Sequence, residues 1–93
     1  MLQRENAERI KERVGRRVAE VREERGWTQQ ECAERLDMPL KNLQRIEAGA
    51  NLTLATLVRL ANGLGIAVRE LFDDPTTKKA RPGRPRKSAA TRA

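Results

Sequence analysis

The chain has no histidine and no tyrosine, and it carries one cysteine, one tryptophan and one phenylalanine among 93 residues. Each scarcity removes a class of protein. Without imidazole and with a single thiol, the usual nitrogen and sulfur ligands of zinc are missing and no intrachain disulfide can form. The same shortage leaves no nucleophile and base pair, and no glycine-rich phosphate loop stands in for one, so neither an enzyme nor a bound metal or cofactor is expected. An aromatic content of 2% is too small for a sheet rich in aromatic and β-branched side chains and points to an all-α chain. No apolar run is long enough to span a bilayer. The opening Met1-Leu2-Gln3-Arg4-Glu5 lacks the apolar core of a signal peptide, which makes a cytoplasmic location the default.

What the sequence has in quantity is charge, 35% of its residues, with a net value of +7. From Met1 to Pro75 thirteen basic and thirteen acidic residues cancel. The excess comes entirely from Lys78, Lys79, Arg81, Arg84, Arg86, Lys87 and Arg92, a stretch with no acid. Such a segment seeks a polyanion, nucleic acid first, since no amphipathic basic helix accompanies it to suggest a membrane. The expected organisation is an N-terminal extension of the first helix over 1–13, one domain over 14–75, and a disordered basic tail over 76–93.

Hydrophobic periodicity divides the domain into five short helices. Ile10, Val14, Val18 and Val21 recur at spacings of four, four and three, one stripe of a first helix that runs from the N-terminus to Arg25. Gly26 ends it. Thr28 followed by Glu31 forms a capping box, with Trp27 able to staple onto Cys32, so a second helix starts at Thr28 and breaks near Asp37-Met38-Pro39. Proline suits the first turn of a helix, and a third helix is expected from there to Gly49. Leu43 and Ile46 turn it inward, leaving Leu40, Lys41, Gln44 and Arg45 outward. Leu54, Leu57, Val58, Leu60, Ala61 and Leu64 make the most apolar helix, expected to be the backbone of the core. Val68 to Phe72 is long enough for one final short helix.

Two short helices joined by a tight turn, the second presenting polar side chains, meet the requirements of major-groove reading. Here the sequence resembles the helix-turn-helix domains of the lambda-repressor and Cro type, from about Val14 to Phe72. The resemblance is carried by Gly15, Val18, Arg22, Gly26, Thr28-Gln29, Ala33, Leu36, Leu43, Arg45-Ile46-Glu47, Gly49, Leu57, Leu60-Ala61, Leu64-Gly65 and Glu70-Leu71. It implies that Leu40, Lys41, Gln44 and Arg45 face the major groove, that Gln29, Pro39, Asn42 and Asn51 lie at the groove margin or against phosphate, and that Gln29 can also brace the recognition helix. It also implies an ion pair between Arg22 and Glu47 that ties the first helix to the third. Arg45 is the strongest base reader, because a guanidinium engages guanine O6 and N7 together; Lys41 reads a base or holds a phosphate. Leu40 departs from the hydrogen-bonding residues usual there, and either packs on a thymine methyl or folds back towards Met38. Cys32 stands where the family places leucine and reads as core.

In the tail, Arg81-Pro82-Gly83-Arg84-Pro85-Arg86-Lys87 resembles an AT-hook, with Gly83, Arg84, Pro85, Arg86 and Lys87 as its minor-groove residues and Pro82 where an arginine is usual. Glycine allows close approach, proline keeps the chain extended, and arginine is drawn to a narrow groove. The alternative is a sequence-blind electrostatic contact. Taken together these features imply a transcription regulator that binds double-stranded DNA, as a homodimer because one recognition helix reads half a site. Its dimer surface would involve either Leu71 and Phe72 or the extension around Leu2 and Ile10. An antitoxin-type module with a protein partner and an architectural DNA-coating protein are the other readings.

Overall fold

The computed structural model describes residues 5–75, whose regular elements are all helical: α1 Ala7–Glu24, α2 Gln29–Arg35, α3 Leu40–Glu47, α4 Leu54–Leu64, and a closing 3₁₀ helix, Val68–Phe72. The expected all-α architecture is present, with one correction: its fifth element is five residues of 3₁₀ helix. Met1–Arg4 and the tail residues Gly83, Arg84, Pro85, Arg86 and Lys87 lie outside the described residues.

Local chemistry sets each boundary. Asn6 is extended and its side chain accepts from the Arg9 amide at 3.2 Å, so α1 starts at Ala7 and not at the chain's beginning. At Thr28 the anticipated capping box is complete: the hydroxyl accepts from the Glu31 amide at 3.0 Å, and the Thr28 amide donates to the Glu31 carboxylate at 2.9 Å. Thr28 is therefore the cap and Gln29 the first residue of α2. Pro39 caps α3 from outside, at φ −62° and ψ 145°. Thr53 caps α4 through the Thr56 amide at 3.1 Å.

The ends of α1, α2 and α3 share one device. In each, the amides of the two residues after the cap reach back to two carbonyls of the last turn, as in Trp27 to Arg22, Met38 to Ala33 and Ala50 to Arg45. The left-handed residue this requires is Gly26 in the first case and Gly49 in the third, but Asp37, at φ 56°, in the second. That turn is the one between the two helices of the motif.

Burial follows the stripes for α1 to α3. Val14, Val18, Val21, Cys32, Ala33, Leu36, Leu43 and Ile46 are buried, joined by Leu60, Ala61, Leu64 and Leu71. For α4 the expectation needs correcting at its N-terminal half: Leu54 is 73% exposed and Val58 42%. Leu57 is half-buried, so only the second half of α4 lies deep in the core. The close seam of the domain is between α1 and α3. A Cβ added at Gly15 would stand 2.5 Å from the Ile46 carbonyl oxygen and 2.8 Å from that of Glu47, a separation only glycine permits.

Candidate nucleic-acid interface

With Leu43 and Ile46 buried, the 3.6-residue period turns Lys41, Asn42, Gln44 and Arg45 outward, and all four are exposed. Leu40 is half-buried and packed against the core, as is Met38. The exposed face of α3 has two flanks, one towards α2 and one towards α4.

On the α2 side the side chains are linked. Arg22 donates through Nε to Glu47 Oε2 at 2.7 Å and through Nη2 to Oε1 at 3.2 Å, a two-pronged pairing, while its Nη1 reaches the Trp27 carbonyl at 2.9 Å. The hydrogen bond to Glu47 raises the guanidinium's already high pKa, outweighing the opposing effect of burial. Gln29 adds a further bond to Glu47 Oε1, from Nε2 at 2.9 Å. Its own Oε1 then faces Gln44, whose Nε2 donates at 3.5 Å. The run Arg22, Glu47, Gln29, Gln44 thus joins the back of the domain to the exposed face of α3. The ion pair inferred from the family resemblance is present. Gln29, expected against phosphate and as a brace for the recognition helix, is half-buried and bonded to Glu47 and Gln44 of α3.

The α4 side is open. A groove of about 390 Å³ runs between α3 and α4, walled by Asn42 and Arg45 on one side and by Ala55, Thr56 and Arg59 on the other. Pro39 and Asn51 line it as well, so three of the four margin residues, Pro39, Asn42 and Asn51, meet here. Arg59 carried no signal in the sequence: it is a single cation in an apolar helix, and periodicity does not say which neighbour it meets.

The remaining side chains singled out by the sequence are structural. Cys32 is fully buried, and that burial pushes its thiol pKa up, which keeps it protonated and a poor nucleophile. Trp27 packs on the core and carries the Arg35 guanidinium 4.5 Å from its ring centroid. Among the described residues no cluster of acidic or cysteine side chains is arranged to hold a metal ion, and no helix is long and apolar enough to cross a membrane.

A short helix held from behind, with polar side chains projecting, defines the helix-turn-helix class. The family model HTH_3, Helix-turn-helix, matches residues 18–71, and the chain belongs to that family of DNA-binding transcription regulators. No curated protein sequence matches the chain. Among solved structures it is similar to the restriction-modification controller protein C.AhdI from Aeromonas hydrophila, at 31% identity and TM-score 0.63, over 66% of this chain and 94% of that one. It is also similar to an HTH_3 family transcriptional regulator from Vibrio cholerae, at 25% identity and TM-score 0.68, over 72% of this chain but 38% of the other. A hypothetical transcription factor, NHTF, from Neisseria shares the fold at 20% identity and TM-score 0.68, over 81% of this chain and 87% of its own.

Proposed function

We propose that the chain controls transcription as a homodimer that places α3 in the major groove at each half of a two-fold symmetric operator. The observation that carries this is the exposed set Lys41, Gln44 and Arg45 on one face of a helix whose opposite side is fixed by buried Leu43 and Ile46 and by the Glu47 bonds. Arg45 reads guanine through two parallel hydrogen bonds, Lys41 reads a neighbouring base or holds a phosphate, and Leu40 lies at the edge of the reading face. Gln29 positions Gln44 and meets the backbone only at its margin. Asn51, Asn42 and Pro39 line the path of the other strand.

Leu71 is fully buried and takes no part in pairing two copies. The large apolar side chains that are exposed among the described residues are Leu54, Val58 and Phe72, and the dimer interface draws on these. The basic tail, with Gly83, Arg84, Pro85, Arg86 and Lys87, adds a minor-groove or backbone contact beside each half-site and increases the salt dependence of binding. The protein works in the cytoplasm, on the nucleoid. Its likeness to a restriction-modification controller protein supports a regulatory role.

The test is a selection of bound genomic fragments, with the full-length chain and with its truncation after Pro75, at two salt concentrations. A shared palindromic site, bound with two chains per duplex, is the expected result. Diffuse A·T-rich enrichment that vanishes on truncation would overturn it.

A further inference from the structure

We propose that Arg59, in α4, is a DNA-backbone contact: it holds a phosphate of the strand that runs along the groove between α3 and α4. The inference rests on α3 being the major-groove helix, and three features of the groove carry it.

The first is charge. Residues 1–75 are neutral in sum, yet the groove is lined by two arginines, two asparagines and a threonine and by no acidic side chain. Neither Arg45 nor Arg59 has a carboxylate partner among the described residues, whereas Arg13, Arg17 and Arg22 each do. Two unpaired cations facing one cleft attract an anion.

The second is preorganisation. Arg59 is exposed, but Nη1 donates to the backbone carbonyl of Asp37 at 3.1 Å, which fixes one corner of the guanidinium at the turn between α2 and α3. Its remaining N–H groups are free for the two-pronged geometry that suits phosphate oxygens. The acceptor is the carbonyl of Asp37, and no ion pair with its carboxylate is formed.

The third is position. Arg45 and Asn42 form one wall of the groove and Arg59 and Thr56 the other. A strand that passes the edge of the reading face therefore meets α4 next. Thr56 and Asn42 line the same cleft, so further hydrogen-bond donors stand beside the guanidinium of Arg59 for a phosphate seated there.

The experiment uses the full-length chain on the selected operator and on a scrambled duplex of equal length, with affinity read by fluorescence anisotropy across a salt series. Arg59→Ala should weaken binding to both duplexes by the same factor, flatten the log–log salt slope by about one, and leave their affinity ratio unchanged. Arg59→Lys should recover most of the slope. Arg59→Gln keeps a donor for the Asp37 carbonyl, so it should retain the wild-type unfolding midpoint while losing the slope, which separates the phosphate contact from a merely structural one. An unchanged slope in Arg59→Ala, with Arg45→Ala still lowering the ratio of specific to scrambled binding, would overturn the role of Arg59 and leave the α3 reading standing. If Arg45→Ala also left that ratio unchanged, both would fall. Inorganic phosphate that perturbs the Arg59 resonances while Arg59→Ala leaves DNA binding intact would assign the groove to a free anion and overturn the proposal.

Discussion

The two flanks of α3 are built in opposite ways. Towards α2, one carboxylate accepts from Arg22 and Gln29, and Gln29 in turn meets Gln44, so side chains there are committed to one another before any ligand arrives. Towards α4, Asn42, Arg45 and Arg59 face a cleft with no acid, and both arginines lack a carboxylate partner among the described residues. The contrast separates two tasks that one short helix must perform. A reading helix has to be held in a fixed orientation, and it has to keep donors unused for its target. The molecule assigns these to different sides of the same eight residues.

Breaking the committed flank should give the largest effect. Arg22 and Glu47 side chains are only 12% and 8% exposed, so Glu47→Ala leaves a largely desolvated guanidinium with only the exposed Glu23 carboxylate at 3.7 Å and should cost about 3 kcal/mol in urea unfolding. Glu47→Gln, which keeps an acceptor for Gln29, should cost less. Gly15→Ala comes next. The added methyl meets carbonyl oxygens of α3, which cannot yield without moving that helix, and a loss of about 1–3 kcal/mol by thermal or urea denaturation is expected despite the better helix propensity of alanine.

On the open flank stability should hardly move while binding does. Arg45→Ala should keep the wild-type unfolding midpoint and lose about 1–3 kcal/mol of discrimination against the wrong base, read as a fall in the ratio of operator to scrambled-duplex affinity. Wild-type discrimination in that variant would mean the reading is done elsewhere. The smallest effect belongs to the turn between the flanks. Asp37→Gly relieves a left-handed conformation and preserves the carbonyl that Arg59 uses, so a gain of about 0.5 kcal/mol with an unchanged salt slope is expected.

Much of the committed flank was legible in the sequence because its signals are local. The Thr28 and Glu31 capping box, the glycine stop at Gly26 and the stripes of Val14, Val18, Val21, Leu43 and Ile46 are short-range patterns with a direct physical meaning. The Arg22 to Glu47 pair spans 25 residues and was accessible only through family resemblance. The open flank was largely illegible for the same reason. Nothing near Arg59 in sequence says that α4 will bring it to the carbonyl of Asp37, 22 positions earlier. Leu54 and Val58 misled in the opposite direction: both fit an apolar helix, but the first half of α4 extends past the core that its second half closes. The start of α1 at Ala7 depended on Asn6, a cap with no matching acidic residue at the third helical position to announce it.

The seam at Gly15 and the carboxylate of Glu47 hold α3 through its backbone and its inner edge, whereas Lys41 and Arg45 take no part in that attachment. On the proposed reading, operator preference and folding therefore depend on nearly disjoint sets of residues. A lineage can acquire a new target by exchanging a few outward side chains on an unchanged frame, and duplicate copies in one genome can diverge to separate promoters without passing through an unfolded ancestor. The same separation makes this domain a frame onto which the outward residues of another regulator can be grafted.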